Sequence, residues 1–132
     1  MQEEQFSDRV LKADQWSRAA AVGVAVIAFF GSLQLTGGIQ FSSITAAAAG
    51  IGARFLIPYQ VSMSVPAEDR VPLEEHPATG NFHHGAVGAA LLLGAPVTIA
   101  VMYLHPVFLT AIGVGTLVSV VAFSVLSQLL PR

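Results

Sequence analysis

The sequence predicts an all-α integral membrane protein: four transmembrane helices, arranged as two hairpins joined by a polar cytoplasmic loop. Three observations predict it. Hydrophobic residues make up 54% of the 132 residues and charged residues only 11%, whereas soluble domains run near 25% charged. That composition cannot cover a water-exposed surface, and a lipid-facing surface removes the need. The apolar residues fall into four runs of spanning length, and all six cations lie on the side of the N-terminus, the central polar segment and the C-terminus.

Residues 1–18 form a charged cytoplasmic or interfacial segment. Phe6, Val10 and Ser17 lie near one helical face, with Ala13 close by, and Trp16 stands just before the first apolar run. An amphipathic indole suits the lipid interface. The segment reads either as an in-plane helix or as a short solvated terminus. Its four acids (Glu3, Glu4, Asp8, Asp14) argue against a cleaved signal peptide.

The first hairpin is assigned to residues 19–59. Ala19 to Leu35 is the first span, and Thr36-Gly37-Gly38 breaks it with a tight reversal. Phe41 to Tyr59 is the second span, ended by Pro58 and Tyr59. Ser42, Ala46, Gly50 and Arg54 recur at four-residue steps and make one ridge of small side chains ending in a cation. Such ridges let backbones approach closely in lipid, where the hydrophobic effect draws no helix to another.

Residues 60–84 form the cytoplasmic loop, the one long polar stretch between apolar runs. The second hairpin is assigned to residues 85–130. Its first helix, Gly85 to Leu104, carries the ridge Ala86, Ala90, Gly94 and should kink at Pro96. His105-Pro106 turns the chain. Val107 to Leu130 is the last span, with Ala111, Gly115 and Ser119 as its small face. Ala21-Val22-Gly23 recurs as Ala86-Val87-Gly88, a three-residue match of common types that gives a duplicated hairpin little weight.

Arg9, Lys12, Arg18, Arg54, Arg70 and Arg132 all belong to the side of the N-terminus, the loop and the C-terminus. The positive-inside rule then predicts a multi-pass protein of the cell membrane with both termini cytoplasmic. A net charge of -2 gives no basic field for nucleic acid. The absence of cysteine excludes disulfides, thiolate zinc sites, iron–sulfur clusters and a cysteine nucleophile.

Candidate chemistry concentrates in the loop. His76, His83 and His84 are the candidate metal ligands, with Glu74 and Glu75 as further oxygen donors. Adjacent helical histidines point about 100° apart, and no metal-site spacing such as HExxH is present. The structural reading therefore leads: Asn81 caps the third helix, and His83 and His84 occupy its first turn at the interface. A proton-linked role is the remaining option. A haem within one protomer fails on distance, since His105 lies about 30 Å along the helix from His84. No cofactor is predicted; haem or a divalent metal is the subordinate reading.

Arg54 is the one ionisable residue set inside an apolar span, which makes it a functional candidate by default. Snorkelling to headgroups or lipid phosphate is its first reading. An ion pair with an acid of the loop or of a partner subunit is the second, and a substrate-anion site the third. Gly50-x-Gly52 and Gly113-x-Gly115 lack the strand–turn–helix context of nucleotide motifs and read as packing glycines. Hydroxyls within spans are expected to bond back to their own helices.

Three functions compete. The preferred one is a non-catalytic packing or accessory subunit, in a homo-oligomer or a larger membrane complex, with the lipid bilayer as its other partner. The second is a small transporter or channel, for which an embedded acid within the spans is wanting. The third is a haem- or metal-linked redox component built on the loop histidines.

Overall fold

The computed structural model describes residues 8–73 and 82–132. All its secondary structure is helical, in four long helices: α1 (Asp8–Thr36), α2 (Ile39–Met63), α3 (His84–Leu104) and α4 (Phe108–Leu129). Each is long and apolar enough to cross a membrane. A 3-10 turn, Ala67–Asp69, follows α2.

The polar segment from Asp8 is continuous with the first apolar run, giving one helix of 29 residues. At 1.5 Å per residue that is about 43 Å, longer than the roughly 30 Å hydrocarbon core. Val10, Ala13 and Ser17 are its buried face at this end, and Trp16 points outward. Gly37 closes the turn to α2 with φ of 73°, a conformation that costs glycine alone nothing.

The end of α2 departs from expectation. Pro58 lies inside the helix, which runs on to Met63. Proline removes one backbone hydrogen bond, but packing of buried Tyr59 and Ser62 carries the helix past it. Arg70 then closes the end, its Nη2 donating to the carbonyls of Met63 at 2.9 Å and Val65 at 3.0 Å. Four residues assigned to the loop's start, Gln60 to Met63, therefore belong to the helix. α3 likewise continues through Pro96, and α4 begins at Phe108 after a turn over His105 to Val107.

Helices that follow one another in sequence pack side by side, α1 on α2, α2 on α3 and α3 on α4, while α1 meets α3 only slightly. Half of the spanning part of α2 is buried, against 6% for α1 and 11% for α4, so α2 lies inside and the first and last helices outside. Apart from Phe41, Tyr59 and Val10, the core is built mainly from small and polar residues: Ala46, Ala49, Ala53, Ala86, Ala90, Ala95, Ala111, Ser17, Ser32, Ser42, Thr45 and Thr98 are buried. Large apolar side chains point outward, Leu104 at 80% exposure, Leu109 at 79% and Ile27 at 74%. A water-soluble fold reverses that distribution. In lipid it is the expected one, because small residues make close helix contacts and large ones meet acyl chains.

Candidate functional site

The antiparallel packing gathers the polar groups at two levels. The first level is the end of the molecule that holds the start of α1 and the close of α4. There α2 directs Arg54 at α1. Its Nη1 donates to Asp14 Oδ1 at 2.7 Å and to Ser17 Oγ at 2.8 Å. Ser17, fully buried, donates to the Asp14 carbonyl at 2.7 Å. Arg18 stands farther off, 3.8 Å from Asp14 Oδ2. Arg54 therefore has an intramolecular acid, in the N-terminal segment rather than in the central loop. The sequence points to an acid of the loop or of a partner subunit instead, because Asp14 reads as part of a polar tail. Only continuity of α1 carries it down to Arg54.

The histidines separate. His83 caps α3 in place of Asn81: its Nδ1 accepts from the Ala86 amide at 3.2 Å. Its Nε2 lies 3.1 Å from the Leu130 carbonyl. A carbonyl only accepts, so the proton sits on Nε2, and both ring nitrogens are engaged. The Tyr59 hydroxyl donates to the neighbouring Pro131 carbonyl, and the Tyr59 and His83 rings lie 5.5 Å apart. Gly85 admits the Tyr59 ring, which a Cβ would strike. His84 instead stacks on Phe82 at 4.5 Å and meets Phe55 edge-on at 5.7 Å. His76, Glu74, Glu75 and Asn81 lie outside the described residues. Among the described residues no three of His, Asp and Glu gather into a metal-binding group, and His105 lies at the opposite end of α3.

The second level is the opposite turn. Ser42 and Ser32 hydroxyls meet at 3.2 Å across α1 and α2, both buried. Between the levels the small residues do the packing. A Cβ on Gly50 would lie 3.1 Å from the Ala21 carbonyl oxygen and 3.1 Å from Ala25 Cβ on α1. Gly52 and Gly88 face each other across α2 and α3: a Cβ on Gly88 would stand 2.7 Å from Leu56 N and 2.8 Å from Gly52 O. Gly94 receives the Ser119 hydroxyl and Gly115 receives the Thr98 hydroxyl across α3 and α4. Gly113, expected as a packing glycine, has open space around its Cβ position, because α4 turns that face away from α3. Gly23 and Gly31 of α1 are open in the same way.

A cleft of about 330 Å³ remains between α2 and α4, floored by α3. Its floor is Ala90, Gly94 and Thr98; Ile44 and Ala48 form one wall, Ile112, Thr116 and Phe123 the other. Thr98 donates to the Gly94 carbonyl at 2.8 Å and Thr45 to carbonyls of its own helix, so these hydroxyls leave methyl groups as lining. Nothing in the residue pattern signals this cleft, which depends on α2 and α4 being held apart by α3. Comparison with protein-family models, with curated proteins and with solved structures finds no match.

Proposed function

We propose that this chain is a non-catalytic multi-pass membrane protein, two helical hairpins joined by a cytoplasmic loop. Its termini face the cytoplasm across the cell membrane. It packs with copies of itself or serves as an accessory subunit of a larger membrane complex. The observation that supports this most is the use of the polar groups: Asp14, Ser17, Arg54, Tyr59 and His83 each bond to another element or cap one. They act as joints between helices.

The ridges Ala46–Gly50, Ala86–Ala90–Gly94 and Ala111–Gly115 face inward, so the surface for a partner lies elsewhere. It lies on α1, where Gly23 and Gly31 flank the outward Ile27 with open space. Glycines about two turns apart on one outward face leave room on either side of Ile27 for a second helix in lipid.

Native mass spectrometry of protein extracted gently from its own membrane tests this. The expected result is a mass at a multiple of 13.8 kDa, or one including a larger protein, that collapses to monomer when Gly23 and Gly31 are both replaced by Leu. A monomer in the unaltered protein, with nothing bound, defeats the reading. So does an assembly indifferent to both substitutions. The orientation follows from the cation placement, and tags on either terminus that report from outside the cell would overturn it.

A further inference from the structure

We propose that the cleft between α2 and α4 is a binding site for one acyl chain of a membrane phospholipid. The chemistry of the lining favours an apolar ligand. It is hydrocarbon apart from hydroxyls, and those of Thr45 and Thr98 are turned back onto carbonyls of their own helices. The size, about 330 Å³, lies at the lower end of the range for small-molecule sites, roughly 300–1,000 Å³.

The shape is set by the neighbouring contacts. Gly52 against Gly88 draws α2 onto α3, and Gly94 and Gly115 draw α4 onto α3. The two outer walls are then pinned to the same floor without touching each other along most of their length. Small side chains on that floor make the depression. One helical turn beyond Thr45 and Ile112, the Phe41 and Phe108 rings meet edge-on at 6.3 Å and join the two walls. The cleft is therefore a slot with one closed end.

Its length and depth select the occupant. On α3 the lining runs from Val87 to Thr98, about 16 Å of helix. It starts one turn from the helix end at His84. One leaflet of the hydrocarbon core is about 15 Å deep. A chain entering from the headgroup level on the side of the termini would fill the slot down to the Phe41–Phe108 pair. A slot of this kind open to the bilayer is filled by the chains around it, and the small floor holds one of them more deeply than the outer faces of α1 and α4 do.

The test uses the full chain reconstituted in phosphatidylcholine vesicles containing a trace of phosphatidylcholine with a photoreactive group in its acyl chain. Cross-links are expected on the slot-lining residues of the three helices, at Ala48, Thr116 and Phe123 above all, and at roughly tenfold lower yield at Ile27 on the outer face of α1. Uniform labelling of all outward residues would overturn the proposal, and so would cross-links absent from the slot because a second copy occupies it. Ala48→Leu with Thr116→Leu fills the slot from the more exposed wall positions. It is expected to cut the slot cross-links roughly tenfold while leaving helical content and outer-face labelling unchanged. Persistence of the slot cross-links in that variant would also overturn the proposal.

Discussion

Replacing Gly88 with Ala tests whether close backbone approach holds α2 and α3 together. The new Cβ would stand 2.7 Å from Leu56 N and 2.8 Å from Gly52 O, where carbon contacts are comfortable at about 3.5–4.0 Å. Both obstacles are main-chain atoms, so no rotamer change relieves them. The helices must part by close to 1 Å. Overpacking of that kind costs about 1–3 kcal/mol, and a gap of ~1 Å forfeits a quarter to a half of each van der Waals contact across the seam. The gain in helix propensity from Gly to Ala returns about 1 kcal/mol. The net expectation is a loss of up to about 2 kcal/mol. Gly113→Ala on α4 is the matched control: its Cβ meets open space, so only the propensity term acts and the protein gains up to about 1 kcal/mol. Unfolding in mixed micelles by titration with sodium dodecyl sulfate, followed by far-ultraviolet circular dichroism, reads both. The propensity gain is common to both, so a gap of about 1–3 kcal/mol between the variants is expected. Equal stabilities, or a loss at Gly113 and none at Gly88, would refute the packing argument.

Asp14→Asn and Arg54→Gln, singly and together, form a double-mutant cycle. Coupling of about 1–2 kcal/mol is expected, since both side chains are less than a third exposed and interhelical polar bonds in membranes rarely exceed that; additivity of the two would make the pair incidental. Gly94→Ala should destabilise by pressing on the Ser119 hydroxyl, and Gly94→Ala with Ser119→Ala should recover at least half of the loss in the same titration. His83→Ala removes the α3 cap and the bond to Leu130, for an expected loss of about 1–2 kcal/mol. His83→Asn, which can still cap, should recover part of it, and the equal stability of His83→Ala with the unaltered protein would remove His83 from the joint.

The four helices were legible because lipid imposes a strong rule: a backbone crossing hydrocarbon must bond to itself. Long apolar runs broken by Gly37-Gly38 and His105-Pro106 leave little choice. What packs against what was less legible. Gly113 and Gly115 look alike in sequence, yet one faces open space and the other Thr98. Gly23 and Gly88 occupy matching places in a three-residue repeat, and only Gly88 is pressed against a neighbour. Spacing along one helix defines a face but not its partner. The Pro58 stop failed for a related reason: proline weakens a helix locally, and tertiary contacts at Tyr59 and closure by Arg70 outweigh the loss. The Arg54–Asp14 pair was hidden because forty residues separate its members.

The distribution of joints bears on where the molecule can deform. At the end holding the termini, α1 is pinned to α2 by Arg54, and the close of α4 is pinned to α2 and to the start of α3 by Tyr59 and His83. Every helix is engaged there by at least one polar bond. At the opposite end, the interhelical polar contact is Ser32 with Ser42, which joins α1 to α2 alone. α4 is held to α2 there by an edge contact between two phenylalanines. Directional bonds between charged or polar groups resist sliding, whereas ring edges and apolar walls tolerate it. The slot between α2 and α4 thus has one polar, fixed end and one apolar, yielding end. Widening it requires rotating α4 about the Tyr59–His83 joint rather than breaking that joint. An occupant of the slot would act on the α2–α4 spacing at the far turn, and the termini would stay in place.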